Sequence, residues 1–411
     1  MRPVPWRVAA VQRIYEGLIR EHLGQERQMV FLTGPRQVGK TTTARTSAGE
    51  QGHYLNWDRQ EDRVLITRGA DAVAQQAGFA TLAAKPPVLV LDEIHKYPKW
   101  KSFLKGLFDT HGGNGRIIAT GSSRLNIFKR GGDSLMGRYF PYRMHPLSVR
   151  EILQPAVSLD KDIQPPLPCT GDPVQSLLSY GGFPEPFLKQ SARFYNRWSS
   201  LRTEQLFRED LRDLTRIQEA GQIHVLSELL VRQTGQLVNY SNLAVRVNAS
   251  VDTMRRWLGV LESFYFCFTI RPWFRNVAKS LRKQPKVYLW DWSALKDPGA
   301  RHENFVASHL LKEIHWWTDA GLGRYDLHYL RDKEGREVDF LVSRDGRPWF
   351  LVEVKSSSGV RISPQLEYYQ KSTGAAHAFQ ASFDLDYVER DCFSVATPVS
   401  VPVSTLLAQL I

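Results

Sequence analysis

Cysteine is scarce in this chain. Its three residues, Cys169, Cys267 and Cys392, share no metal-ligand or redox spacing, which excludes a disulfide framework and a cysteine-built zinc site and leaves reduced thiols. No apolar run approaches the ~20 residues that cross a bilayer, so no membrane-spanning segment is expected. The first stretch, MRPVPWRVAAVQRIYEGLIREHLG, is amphipathic and lacks the apolar centre of a secretory leader. Together these absences predict a cytoplasmic protein without a membrane partner. Repeats and low-complexity tracts are missing too, which excludes repeat architectures. Acids are the minority charge: 42 against 54 Lys and Arg give a net charge of +12 and a pI near 9.6. That balance favours a polyanionic partner.

At 411 residues the chain is too long for one ordinary core, and two to four domains are expected. Four strand-like runs, Met29–Thr33, His53–Asn56, Val88–Leu91 and Arg116–Thr120, alternate with helical stretches and predict a parallel α/β sheet over 1–155. The Pro-rich stretch QPAVSLDKDIQPPLPCTGDP predicts a linker at 156–173. Residues 174–230 read as helical, interrupted by GGFPEPF at Gly181–Phe187, and a helix–turn–helix rhythm falls within 231–285. A β-rich domain should occupy 286–411.

The stretch GPRQVGKT, Gly34 to Thr41, satisfies the P-loop pattern, with the apolar strand MVFLT before it. Glycines let backbone N–H groups curl around a phosphate, Lys40 reaches the β/γ-phosphates, and the Thr41 hydroxyl ligates Mg²⁺. Gly34, Pro35, Arg36, Gln37, Val38, Gly39, Lys40, Thr41 and Thr42 are therefore the expected nucleotide-binding residues, with ATP and Mg²⁺ as cofactors. Further on, VLVLDE ends an apolar strand with Asp92, suited to holding Mg²⁺ alongside Thr41, and Glu93, suited to polarising an attacking water.

A glutamate directly after the Mg²⁺ aspartate resembles the additional-strand branch of P-loop ATPases, to which AAA+ proteins belong. In that resemblance RIIATGSS supplies the next strand and a polar sensor, Ser122. Arg138, before the final core strand, stands where AAA+ rings carry an arginine finger that completes a neighbour's site. A salt-bridged or solvated arginine is the alternative there. LTGPRQVGKTT, LDEIHKYPKW, TGSS, GRYFPYRMHPLS and GGFPE together resemble a bacterial and archaeal family of AAA+-like ATPases with a C-terminal restriction-endonuclease-like domain. The resemblance covers nearly the whole chain. It implies a helical lid after the core and a homo-oligomer of ring type. A second sensor arginine is left open among Arg193, Arg197 and Arg202.

NYSNLAVRVNASVDTMRRWLGVLESF predicts two short helices, capped by Ser241 and Ser250, with Leu243, Ala244, Val247, Met254, Trp257, Leu258 and Leu261 inward. Arg255 and Arg256 then face outward, where a recognition helix meets DNA. RPWFRNVAKSLRKQPK follows, with Arg271, Arg275, Arg282 and Lys283 placed as the phosphate-gripping wing of a winged helix. Trp273 and Phe274 are suited to stacking on unpaired bases. Winged helices also mediate protein contacts alone, and that alternative stays open.

EVDFLVSRDGRPWFLVEVKSS, Glu337 to Ser357, puts charge where strands should be apolar. Period 2 sets Asp339 beside Leu341 on one run and Leu351, Glu353 and Lys355 on one face of the next. A buried charge is costly unless it is paired or holds a metal. Asp339 and the Glu353-Val354-Lys355 trio resemble metal-dependent nucleases of PD-(D/E)XK type, in which two carboxylates hold Mg²⁺ and the lysine meets developing charge. The resemblance adds Glu303, at the start of a helical pattern, and Asp291. A retired nuclease fold with a residual salt network is the alternative.

The expected protein is thus a multidomain α/β ATPase: a P-loop AAA+ core, a helical lid, a winged helix and a restriction-endonuclease-like domain. Its expected work is ATP-driven remodelling of, or translocation on, DNA, including branched or single-stranded forms. An ATP-gated nuclease and a nucleotide-dependent switch acting on a protein partner are the alternatives.

Overall fold

Three runs in the first third, MVFLT, VLVLD and RIIATG, are buried almost from end to end, whereas HYLN and YFPYR are only partly buried. A parallel sheet covered on both faces requires such continuous apolar runs at its centre and tolerates polar residues at its edges. The observed order obeys this. β1 (Met29–Thr33), β2 (His53–Asn56), β3 (Val88–Asp92), β4 (Arg116–Gly121) and β5 (Tyr139–Arg143) pair as β2-β3-β4-β1-β5, all parallel. β4 therefore stands between the strand that leads into the P-loop and the strand that ends at Asp92, the additional-strand arrangement expected. The computed structural model describes residues 11–50, 52–81, 85–121, 135–154, 156–169, 171–207, 217–274, 283–359 and 361–411. Ser122, Arg275 and Arg282 lie outside them.

The described residues separate into two units, 11–145 and 146–411. In the first, α1 (Tyr15–Gln25), α2 (Lys40–Ala48), α3 (Gln60–Thr67), α4 (Ala70–Gln76) and α5 (Trp100–His111) accompany the sheet. Phe103, Leu104, Leu107 and Phe108 recur at helical spacing on α5 and pack into one cluster with Phe31, Leu89 and Leu91. Truncating Leu104 or Leu107 to alanine would cost about 2–5 kcal/mol.

The second unit begins with α6 (Val149–Leu153), α7 (Pro173–Tyr180), α8 (Pro184–Lys189) and α9 (Ala192–Gln205). Then come α10 (Ile217–Arg232), α11 (Tyr240–Val247), α12 (Val251–Ser263) and a hairpin of β6 (Cys267–Pro272) and β7 (Lys286–Leu289). A long buried helix follows, α13 (Pro298–Asp319). The rest is β8 (Tyr325–Arg331), β9 (Glu337–Arg344), β10 (Arg347–Lys355), α14 (Pro364–Thr373), β11 (His377–Ser382), β12 (Val399–Pro402) and α15 (Val403–Gln409). The mixed sheet runs β12-β11-β10-β9-β8-β6-β7.

Four sequence-based boundaries need correction. The division at 285/286 cuts the hairpin, because β6 pairs antiparallel with β7 and parallel with β8 (Arg271 with His328), so one sheet crosses it. A lone hairpin is marginal in water, and joining the larger sheet satisfies its edge. The division at 230/231 falls inside α10, whose Ile223, Leu226 and Leu230 share a core with Leu243, Val247, Trp257 and Leu261. Residues 146–155 belong with the second unit, where Glu151 and Lys312 form a fully buried pair at 2.6 Å. The expected linker 156–173 is tied down: Asp162 accepts from the Tyr325 hydroxyl (2.8 Å), Arg344 (2.5 Å) and Trp317 Nε1 (2.6 Å), and buried Gln164 donates its N–H to the Gln409 carbonyl (2.9 Å). Extended, proline-rich backbone can pack without secondary structure when its polar groups find such partners. Among the described residues no helix is long and apolar enough to cross a membrane.

Candidate active sites

The P-loop is built by backbone conformation. Gly34 lies at φ +150°, and a Cβ there would sit 2.2 Å from the Met144 carbonyl oxygen, so only glycine fits. Gly39, at φ +97°, caps α2, which starts at Lys40. The N–H groups that open α2 therefore face the loop and suit an anion. Lys40 is buried, its Nζ donating to the carbonyls of Gly34 (2.9 Å) and Pro35 (2.6 Å). Arg13 bonds the carbonyls of Val38 and His145, bracing the loop from outside the motif.

Asp92, at the buried end of β3, is held by three hydroxyls. Thr41 Oγ1 (2.9 Å) and Tyr54 OH (2.7 Å) donate to Oδ2, and Thr120 donates to Oδ1. Burial, then the bond to Asp92, raises the Tyr54 pKa above its ordinary value. Thr41 and Asp92 thus meet directly across 51 residues of sequence, the pairing a Mg²⁺ site needs. Glu93 follows in a left-handed conformation, φ +54°, an uncommon state for a side-chain-bearing residue. Its carboxylate lies 3.2 Å from Lys96, which also pairs with Asp58 at 2.5 Å. Burial opposes the Lys96 charge, and the bonds to Asp58 and Glu93 more than offset it, leaving the pKa raised. A cavity of about 600 Å³ borders Thr41, Thr42, Arg45 and Tyr54.

Sequence reasoning missed Tyr54, Thr120 and Lys96. Thr120 is the penultimate residue of β4, two residues before the Ser122 chosen as sensor, so strand length was the available signal. Tyr54 alternates toward Asp92 on the neighbouring strand, which only the pairing of β2 with β3 reveals.

Arg138 does not project freely. Its guanidinium forks onto Asp109 of α5 at 2.7 and 2.9 Å, and that bond holds the Asp109 carboxyl below its usual range. Within this chain Arg138 makes the salt bridge of the alternative reading. Of the second-sensor candidates, Arg193 and Arg197 are exposed on α9, while Arg202 stacks on Phe183 (4.1 Å) and pairs with Asp291 at 3.7 Å. Burial, partly offset by Asp291, lowers the Arg202 pKa. Asp291 also accepts from Ser293, and a Cβ at Gly181 (φ +73°) would sit 2.7 Å from the Ser293 hydroxyl, which explains the glycine of GGFPE.

In the C-terminal sheet the fold does bring Glu303, Asp339, Glu353 and Lys355 toward one region, from α13, β9 and β10. Lys355 pairs with Glu353 at 2.7 Å, and the Val354 N–H donates to Asp339 Oδ2 at 2.8 Å. The unforeseen member is Lys286. Buried at the start of β7, it lies 3.2 Å from Glu303 and 2.5 Å from Glu337, while the Tyr288 hydroxyl donates to Glu303 at 2.8 Å. Burial alone would lower the Lys286 pKa; Glu303, Asp339 and Glu337 outweigh it and keep the ammonium charged. Asp339 is pushed up to about 7, chiefly by burial and then by Glu303, with Lys286 and the Val354 N–H opposing.

The helical pattern is as read, with one cap moved. Asn239, not Ser241, caps α11 by accepting from the Asn242 N–H, and Ser250 caps α12. Ser241 lies inside the first turn because α11 begins at Tyr240. All seven expected inward residues are buried. Arg255 and Arg256 are exposed on α12, paired with Asp252 (3.0 Å) and Glu219 (2.9 Å). Arg271 and Lys283 are exposed. Trp273 is partly buried against the cluster of Leu330, Val338 and Leu351, which leaves less of it for base stacking.

Residues 26–153 match the family model described as an AAA domain, and two models described as domains of unknown function match 172–296 and 298–384. Uncharacterized proteins of Mycobacterium bovis and Mycobacterium tuberculosis are each 27% identical over 350 residues, 82% of this chain and 72% of theirs. AMPPCP-bound DnaA from Aquifex aeolicus is 13% identical, with a TM-score of 0.31, over 62% of this chain and 89% of that one, a likeness too low to bear on fold or function. Most of the first unit thus resembles an AAA-type P-loop domain.

Proposed function

We propose that this chain hydrolyses ATP and uses the cycle to act on DNA. The observation that carries the ATPase reading is Asp92, brought by the sheet order into contact with Thr41 of the P-loop, with Glu93 next to it. In that reading the loop from Gly34 to Thr42 and Lys40 hold the phosphates, and Thr41 and Asp92 hold Mg²⁺. Glu93 orients the attacking water, and Thr120 and Tyr54 fix the Asp92 carboxylate.

DNA enters on different grounds. Three helices with one shared core, a bridge from Leu237 to Lys286 and a following hairpin support a winged-helix reading of 217–289. Arg255, Arg256, Arg271 and Lys283 are exposed on it in a chain of net charge +12. ATP turnover measured with and without single-stranded, duplex and forked DNA tests the reading; stimulation by at least one of them is expected, and indifference to all refutes it. Neutralising Arg255, Arg256 and Lys283 should flatten the salt dependence of binding by about one in log–log slope for each phosphate left without its cation.

A nucleotide-dependent switch acting on a protein is the second reading, favoured by the acid partner that each of Arg255 and Arg256 already has. Assembly into a ring through Arg138 would require that arginine to leave Asp109. Mixing Arg138→Ala with Lys40→Ala chains and recovering hydrolysis would support it.

A further inference from the structure

The carboxylates expected to hold a metal in the C-terminal sheet do not fit one. Mg²⁺ demands oxygen ligands in near-octahedral array at about 2.0–2.1 Å. Among the described residues, no three His, Cys, Asp or Glu side chains converge in that way. An ammonium converges instead. Lys286 Nζ stands 3.2 Å from Glu303 and 2.5 Å from Glu337, with Asp339 also acting on its charge. One oxygen on each of the neighbouring carboxylates already has a donor. Tyr288 OH shares Glu303 Oε1, the Val354 N–H takes Asp339 Oδ2, and Lys355 takes Glu353 Oε1. Glu353 Oε2 is buried without a partner.

We propose that Lys286 is the built-in cation of this site, standing among Glu303, Glu337 and Asp339 in place of a divalent ion, so that the domain does not cut DNA by metal-dependent chemistry. The physical reason is local concentration. A lysine fixed at the start of a strand never dissociates, and an incoming ion would have to displace it while shedding its own water. The position of Lys286 gives it a second consequence. It lies on β7, the strand that closes the hairpin after α12, and its partners lie on α13 and β9. One buried charge thus fastens the hairpin to the rest of the sheet. This reading is independent of the ATPase assignment.

The test uses the full chain without nucleotide, titrated with Mn²⁺ and followed by electron paramagnetic resonance and by melting. Wild type and Asp339→Asn should take up Mn²⁺ equally, and Mn²⁺ should not raise the melting temperature of either. Lys286→Met should melt lower than wild type, gain an Mn²⁺ site that the added Asp339→Asn change removes, and regain melting temperature as Mn²⁺ is added. A wild-type site that Asp339→Asn abolishes would overturn the proposal. So would a folded Lys286→Met that gains no site. Should Lys286→Met fail to fold, the comparison of wild type with Asp339→Asn decides alone.

Discussion

Tyr54→Phe removes one oxygen and little else. The ring stays, and with it the Arg45 guanidinium stacked at 5.0 Å, so packing is held constant. What goes is a 2.7 Å bond to the Asp92 carboxylate and a 3.2 Å bond accepted from Asn56 Nδ2. Asp92 is 3% exposed, so water cannot freely replace the donor. A bond to a charged group contributes about 1.5–3 kcal/mol. Thr41 still donates to the same oxygen and Thr120 to the other, which puts the expected loss near the low end, about 2 kcal/mol. In a unit of this size that lowers the midpoint of its melt by about 5–7 °C. The assay is calorimetry without nucleotide, with Thr41→Ser, which keeps the hydroxyl, as the control that should change far less. If Tyr54→Phe melted within a degree of wild type, the three-hydroxyl clamp on Asp92 would not be the feature that fixes this carboxylate.

Glu151→Ala should destabilise the second unit by about 3–5 kcal/mol, since it takes the carboxylate from the fully buried Lys312 ammonium, whereas Glu151→Leu with Lys312→Met should recover most of that loss; urea midpoints compare them. The pH dependence around Asp339 has a definite sign. With its pKa raised from 3.8 to about 7, the native state binds a proton that the unfolded chain has released. This carboxyl therefore costs nothing below pH 3.8 and progressively more as pH rises to 7, up to about 4 kcal/mol. Glu303, Glu337, Glu353 and Lys286 surround it, so the comparison is between wild type and Asp339→Asn in urea from pH 4.5 to 8; a flatter slope for Asp339→Asn is expected, and equal slopes would assign the effect elsewhere. Gly34→Ala should lose nucleotide binding with its fold weakened, because its Cβ collides with the Met144 carbonyl; unchanged binding by fluorescent nucleotide titration would contradict that.

The first sheet was legible because buried parallel strands need unbroken apolar runs and phosphate chemistry tolerates few residue types. MVFLT and VLVLD satisfy the first demand, GPRQVGKT the second. The second unit was harder. The pairing of β6 with β8 joins residues more than fifty apart, and nothing local in FTIRP announces it. Gln154 to Pro173 has a linker's composition, but its hydrogen-bond partners lie on α13, β8 and the C-terminus, beyond the reach of any local pattern. The pairing of Lys286 with Glu303 and Glu337 is likewise a property of the folded sheet. Its one trace in sequence is a lysine opening the apolar run KVYLW, where burial would penalise an unpaired charge.

In the proposed cycle Glu93 acts on the attacking water while Lys40 and the loop bind the nucleotide. Single-turnover hydrolysis of Mg²⁺-ATP, with nucleotide affinity measured in parallel, separates the two roles. Glu93→Gln should bind ATP as wild type does and hydrolyse it at least about a hundredfold more slowly, a loss of about 2.7 kcal/mol of transition-state stabilisation. Lys40→Ala should instead lose most of its affinity. Hydrolysis by Glu93→Gln at the wild-type rate would contradict this division of roles.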